Sequence, residues 1–142
     1  KGDQILRTVA RKLEDALKYT NVHENALNNI SAFNNINALK NRVKDKDEQP
    51  DYPDFVCRYG GEEFCMLLSA KPAQRIRELL EECRQTIADS QLPHEHSESG
   101  FITVSIGAYT LIDAETPISE AMLKADQKLY QAKVSGRNRV SY

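Results

Sequence analysis

Two glycines followed by two acids stand in Arg58-Tyr59-Gly60-Gly61-Glu62-Glu63-Phe64. Glycines leave the backbone bare, so a nucleotide can approach it closely. Carboxylates on a tight turn are hard oxygen donors for a divalent cation. Magnesium takes one or two protein carboxylates and fills its remaining positions with water and substrate phosphates, which suits this cluster. Taken alone, the segment is equally compatible with an ordinary Gly-Gly hairpin carrying two solvated acids. A second candidate group is Lys133 and Arg137, four residues apart, a spacing compatible with one side of a helix end. Alone, that pair reads as compensation of the helix dipole.

Other reactive side chains carry less. Thr103 and Ser105 have no His or acid at a suggestive position and read as strand residues rather than nucleophiles. His94-Glu95-His96 has a metal-like spacing but lies in a polar loop, where solvated side chains are the expectation. Cys57 and Cys65 are expected to face each other across a hairpin as small core residues.

The elements that must position these groups follow from periodicity. Residues 3–18 predict an amphipathic helix with Ile5, Leu6, Val9, Leu13, Ala16 and Leu17 on one face, and Asp3 at its start as a cap. Residues 19–53 are Asn-rich, then carry Lys44-Asp45-Lys46-Asp47-Glu48, Pro50 and Pro53. They read as a surface insertion with a mobile charged end, although Leu27, Ile30, Phe33, Ile36 and Leu39 allow a partial helix. A hairpin follows, with strands at 55–57 and 64–68 and Gly60-Gly61 as the turn. Residues 72–89 predict a second amphipathic helix, residues 101–106 a β-branched strand, and residues 118–134 a third helix ended by Gly136. Residues 139–142 form a short last strand. The expected class is α+β, helices packed on a mostly antiparallel sheet.

Composition narrows the function further. The 142 residues suffice for one compact domain. Lys and Arg number 19 against 21 Asp and Glu, which argues against a general nucleic-acid binder. No apolar run reaches membrane-spanning length, and no signal peptide follows Lys1, where the natural N-terminus is expected to lie upstream. Three cysteines without metal-ligand spacing favour a reduced, cytoplasmic compartment.

With these residues in hand, the chain resembles the GGDEF family of diguanylate cyclases. Gly60-Gly61-Glu62-Glu63-Phe64 is similar to its signature in the Glu variant, preceded by Arg-Tyr. Gly2-Asp3 with Leu6 resembles its Gly-Asp-x-x-Leu helix start, and Thr103-Val104-Ser105-Ile106-Gly107 its late strand. Ala125-Asp126, Leu129-Tyr130, Ala132-Lys133 and Gly136-Arg137-Asn138 resemble its last helix and closing turn. The resemblance implies a nucleotidyl-cyclase, palm-like fold with a ferredoxin-like core. It makes residues 1–142 a partial GGDEF domain lacking its first strand, with the insertion at 19–53.

The implied activity is condensation of two GTP to cyclic di-GMP plus pyrophosphate by a homodimer using Mg2+ or Mn2+, downstream of a sensory domain. Glu62 is implied as metal ligand beside the attacking hydroxyl, and Glu63 as the adjacent catalytic acid. Gly60 and Gly61 would border the substrate. Asp3 would read the guanine edge with Leu6 as its apolar wall, and Lys133 and Arg137 would contact phosphate. Asp126 and Tyr130 would be structural, the ring packing beside the helix. Many members carry a product-binding Arg-x-x-Asp before the signature. Here that window is Asp51-Tyr52-Pro53-Asp54, so two acids are expected to repel the product. The alternative is a catalytically inactive GGDEF-like module that binds GTP or a partner protein.

Overall fold

The computed structural model describes residues 2–17, 54–68, 71–113 and 115–142. The expected insertion at 19–53, and Asp51 with it, lies outside the described residues. The chain divides into two compact units, residues 1–73 and 74–142.

In the first unit, helix α1 (Gly2–Leu17) packs on strand β1 (Phe55–Gly60), which pairs antiparallel with β2 (Glu63–Leu67). The 3.6-residue period buries Val9, Leu13 and Leu17 as expected and adds Ala10 and Glu14 to the same stripe. Ile5, Leu6 and Ala16 are half-buried at its margins. On β1, Val56 turns fully inward, and a buried aliphatic side chain of this kind contributes about 1.5–3 kcal/mol.

The hairpin differs from expectation in where it turns. Both strands reach closer to the turn than expected, Gly60 pairs with Glu63, and the loop is Gly61-Glu62. Only Gly61 has a positive φ, +52°, while Gly60 is an ordinary strand residue. A two-residue loop with its first central residue at positive φ and its second negative is the arrangement a type II′ turn requires. An irregularity between Arg58 and Gly60 leaves Tyr59 out of the ladder, as in a β-bulge.

In the second unit, α2 (Ala73–Asp89) buries Leu79, Leu80, Cys83 and Ile87 along one face, with Ile76 half-buried. Pro72 lies just before the helix rather than in its first turn. Helix α3 (Ile118–Val134) has the limits its sequence predicts and connects two short parallel strands, β3 (Ile106–Gly107) and β4 (Val140–Ser141). Parallel neighbours need such a crossover.

The strand expected at 101–106 is reduced to its last residue. Ile106 and Gly107 pair with Val140 and Ser141, and Phe101 makes an isolated bridge to Pro93. Residues 102–105 have strand-favouring side chains, but propensity does not supply a ladder partner, and beyond the Ile102 N–H bond to the Leu92 carbonyl (2.8 Å) they form no ladder among the described residues. The pairing beside Ile106 is parallel, so among the described residues the antiparallel arrangement is confined to the hairpin and the Pro93–Phe101 bridge. The overall class is α+β, as expected.

Helix α3 ends in a Schellman motif. Gly136 N–H donates to Lys133 C=O (3.4 Å) and Arg137 N–H to Ala132 C=O (3.0 Å), with Gly136 at φ +112°. Tyr130, expected to pack, is 67% exposed. It stands nine residues after the buried Ala121, about half a turn away around the helix, so the face that buries Ala121 turns Tyr130 outward. Asp126 is exposed too.

Candidate functional site

The first unit gathers Asp3, Arg58, Gly61 and Glu62 around the hairpin turn. Glu62 occupies the second position of the loop and is exposed. No hydrogen bond or ion pair holds its carboxylate among the described residues. Glu63 opens β2, also exposed, in register with Gly60. A carboxylate in this position offers hard oxygens to a divalent cation while leaving most of the coordination shell to water and phosphate. Among the described residues no group of three or more His, Cys, Asp or Glu surrounds it. The donor set therefore fits magnesium or manganese as one part of a shared site rather than as a closed protein cage.

The turn is held by a residue that sequence reasoning counted only as part of a motif. Arg58 Nε donates to the Gly61 carbonyl at 2.7 Å, and Arg58 Nη1 lies 3.1 Å from Asp3 Oδ1. Asp3 Oδ2 is in turn 3.3 Å from Arg7 Nη2. Asp3 was expected to cap α1. Instead its carboxylate faces two guanidinium groups, those of Arg7 and Arg58. Leu6 is one turn further along α1 and half-buried.

Space around the glycines is informative. A Cβ built on Gly60 or Gly61 meets no atom of the described residues within 4 Å. Gly60 has neither steric pressure nor a positive φ to explain it, which leaves room for a ligand to pass close to the backbone.

Lys133 and Arg137 belong to the second unit. Lys133 lies in the last turn of α3, and Arg137 follows the Schellman glycine. Both are exposed. Arg137 is at φ +59° and Asn138 at φ +44°, two consecutive non-glycine residues in the left-handed region. Asn138 Oδ1 accepts from Arg84 Nη1 at 2.8 Å, which ties the closing loop to α2. The Tyr142 hydroxyl donates to the Arg77 carbonyl (3.2 Å) while the Arg77 guanidinium sits 4.3 Å from the Tyr142 ring centre.

Asp54 departs from its expected role. It was read as an acid that would repel a phosphate-bearing product. Its side chain is fully buried, with Lys71 Nζ 2.7 Å from Oδ1, so it presents no charge to an incoming ligand. A buried carboxylate needs such a partner, and once paired it is a packing element.

Cys57 and Cys65 are register partners across the hairpin, as expected, but both are half-buried rather than core residues. A hydrogen bond with Cys65 lowers the Cys57 pKa to about 7, against the opposing effect of burial. The same bond raises that of Cys65, with burial adding to it. Thr103 and Ser105 stay half-buried and make no catalytic constellation with described acids or histidines. His94 and His96 are exposed with their rings edge-to-face at 6.4 Å.

Comparison with known proteins bears on this geometry. The sequence model of the family described as diguanylate cyclase, GGDEF domain, matches residues 34–139. The response regulator PleD of Caulobacter vibrioides is 39% identical over 90 residues, which is 61% of this chain and 19% of PleD. The diguanylate cyclase DgcP of Pseudomonas aeruginosa is 40% identical over 87 residues, 61% of this chain and 13% of DgcP. The aligned stretch is thus a minor part of each relative's length. Among solved structures, the active GGEEF domain of a diguanylate cyclase from Vibrio cholerae is similar with a TM-score of 0.62 and 25% identity, over 99% of this chain and 67% of that one. The GGDEF domain of DgcB from Caulobacter crescentus, solved in complex with c-di-GMP, is similar at a TM-score of 0.55 and 27% identity, over 94% of this chain and 62% of that one.

Proposed function

The chain belongs to the diguanylate cyclase GGDEF domain family, and from that premise we propose that its protein condenses two GTP molecules into cyclic di-GMP, releasing two pyrophosphates. The observation that carries the proposal is the exposed Glu62 carboxylate on the Gly61-Glu62 turn, beside a glycine with open space around it. Each 3′-oxygen attacks the α-phosphorus of the other GTP as the bond to pyrophosphate breaks. Two domains must face each other with one GTP apiece, so the active unit is a homodimer. The relatives' length supports further domains in the same protein, among them an upstream sensor that brings two copies together. GTP is a cytoplasmic nucleotide, and the cytoplasm is where we place the reaction.

In this reading Glu62 holds the divalent cation, magnesium or manganese. The bound cation supplies charge neutralisation at the transferred phosphoryl group. Glu63, on the following residue, supports the same turn and adds negative charge for the cation. Gly60 and Gly61 admit the nucleotide to the backbone. Asp3 accepts hydrogen bonds from the guanine edge, beside Leu6. Lys133 and Arg137 contact phosphate, and the left-handed backbone at Arg137 projects a cation just past the end of α3.

The test uses the full-length protein with GTP and magnesium, and product followed by chromatography. Glu62→Gln should reduce turnover by about a hundredfold or more, as expected for loss of a charge-stabilising group. The thermal midpoint should stay in place, because Glu62 buries nothing. Undiminished turnover in the variant overturns the metal-binding role. GTP binding by the parent without any turnover would instead favour a regulatory module.

A further inference from the structure

We propose that Arg58 is a positioning residue for base selection, holding the Asp3 carboxylate and the turn that carries Glu62 in one frame. The inference rests on the reading of Asp3 as the acceptor of the guanine edge. The guanidinium is planar and fork-shaped, and two of its nitrogens are used in different directions. Nε donates to the Gly61 carbonyl at 2.7 Å and Nη1 reaches Asp3 Oδ1 at 3.1 Å, across 55 residues of sequence. One side chain therefore fixes the spacing between the carboxylate at the start of α1 and the loop at the end of β1.

The arrangement adds little to stability. The Arg58 side chain is 45% exposed and Asp3 64%, and a solvent-exposed pair is worth about 0–1 kcal/mol. Its consequence lies in orientation. Arg58 approaches Oδ1, while Arg7, 3.3 Å away, approaches Oδ2. Each carboxylate oxygen can accept more than one hydrogen bond, so both retain capacity for the N1–H and 2-amino groups of guanine. The two guanidinium groups thus fix the rotation of the carboxylate before the base arrives. A base bearing an acceptor at N1, as adenine does, meets a held carboxylate that cannot turn away. Lysine would restore a positive charge but not the fork, and so would serve one contact at most.

The experiment compares kcat/KM for GTP and ATP in the full-length parent, Asp3→Ala, Arg58→Ala, Arg58→Lys and the Asp3→Ala/Arg58→Ala double variant. Thermal midpoints are measured in parallel. We expect Arg58→Ala to lower the GTP:ATP ratio by about tenfold, in the range that a lost recognition group supplies. Arg58→Lys should leave it lowered, and the double variant should fall no further than Asp3→Ala. If turnover of Arg58→Ala is too low to measure, equilibrium binding of non-hydrolysable GTP and ATP analogues gives the same ratio. A parental ratio in Arg58→Ala, with a lowered one in Asp3→Ala, overturns the positioning role and leaves the base-reading role of Asp3 standing. An unchanged ratio in Asp3→Ala removes that base-reading role and this inference with it.

Discussion

Gly60 and Gly107 sit at opposite extremes of steric freedom. A Cβ on Gly60 meets nothing within 4 Å, whereas one on Gly107 would lie 2.2 Å from the Ala125 carbonyl oxygen and 2.2 Å from the Leu129 nitrogen. Both stand in strands of a family motif, and neither carries the positive φ that ordinarily accounts for glycine. Gly107 is there because α3 lies directly on β3, backbone against backbone. Packing against the described residues does not account for Gly60. The same residue type therefore marks a packing contact in one unit and an open approach in the other.

The largest expected effect breaks the packed side of this comparison. In Gly107→Ala the clash is with helix backbone, which has no rotamer to give way, so either α3 or β3 must shift. Overpacking of a well-packed site costs about 1–3 kcal/mol and occasionally more, and a contact with backbone on two residues belongs at or above the upper end. Denaturant unfolding should show a lowered midpoint, and the full-length protein should lose activity only in proportion to the unfolded fraction at the assay temperature. A stability unchanged from the parent would show that β3 and α3 are not held this closely in solution.

Two backbone-strain effects come next and have opposite signs. Gly61→Ala places a Cβ at φ +52°, with open space around it, so the cost is conformational alone. Left-handed backbone costs about 1–2 kcal/mol for a non-glycine residue. Arg137 already bears that strain at φ +59°. Arg137→Gly relieves it but enlarges the entropy of the unfolded chain by about 0.5–1 kcal/mol, leaving a net gain of about 0–1.5 kcal/mol. The variant should melt no lower than the parent, and its KM for GTP should rise if Arg137 contacts phosphate as proposed. A lower melting point would mean that the Arg137 side chain contributes packing or pairing that outweighs the strain.

Legibility in the sequence followed the range of the interaction. Helix α3 was readable to the residue because its apolar period and Gly136 are local signals, and the Schellman bonds from Gly136 and Arg137 complete the stop they announce. The Cys57–Cys65 register was readable too, since two short strands across a tight turn have few pairings. The strand at 101–106 was over-read because a ladder depends on a partner far away in sequence. The site divides in the same way. The placement of Glu62 and Glu63 at the hairpin turn was legible from their position after two glycines. The link from Arg58 to Asp3 was not, because it depends on how α1 meets β1 across 55 residues. Asp54 was misread as a surface charge because the partner that buries it, Lys71, lies 17 residues on, beyond β2. The placement of Tyr130 could have been found from the helical wheel, half a turn from Ala121, and a motif-based reading passed over it.

The smallest expected change in stability tests the open side of the comparison. Gly60 pairs with Glu63 as the last residue of β1, at a φ that any residue adopts, so Gly60→Ala introduces neither clash nor strain. Alanine also lowers the entropy of the unfolded chain, which favours the folded state by about 0.4–1 kcal/mol where the native conformation is compatible. Exposure of the added methyl gives no compensating burial. The melting point of Gly60→Ala should therefore equal or slightly exceed that of the parent. If the empty space is the path of the nucleotide, the same methyl stands between ligand and backbone, and KM for GTP should rise severalfold while kcat changes less. The two readings separate cleanly because one assay reports the protein alone and the other the protein with its ligand. A parental KM together with a parental melting point would show that the ligand does not approach the backbone at Gly60, and the open side of the comparison would then have to rest on Gly61 and Glu62.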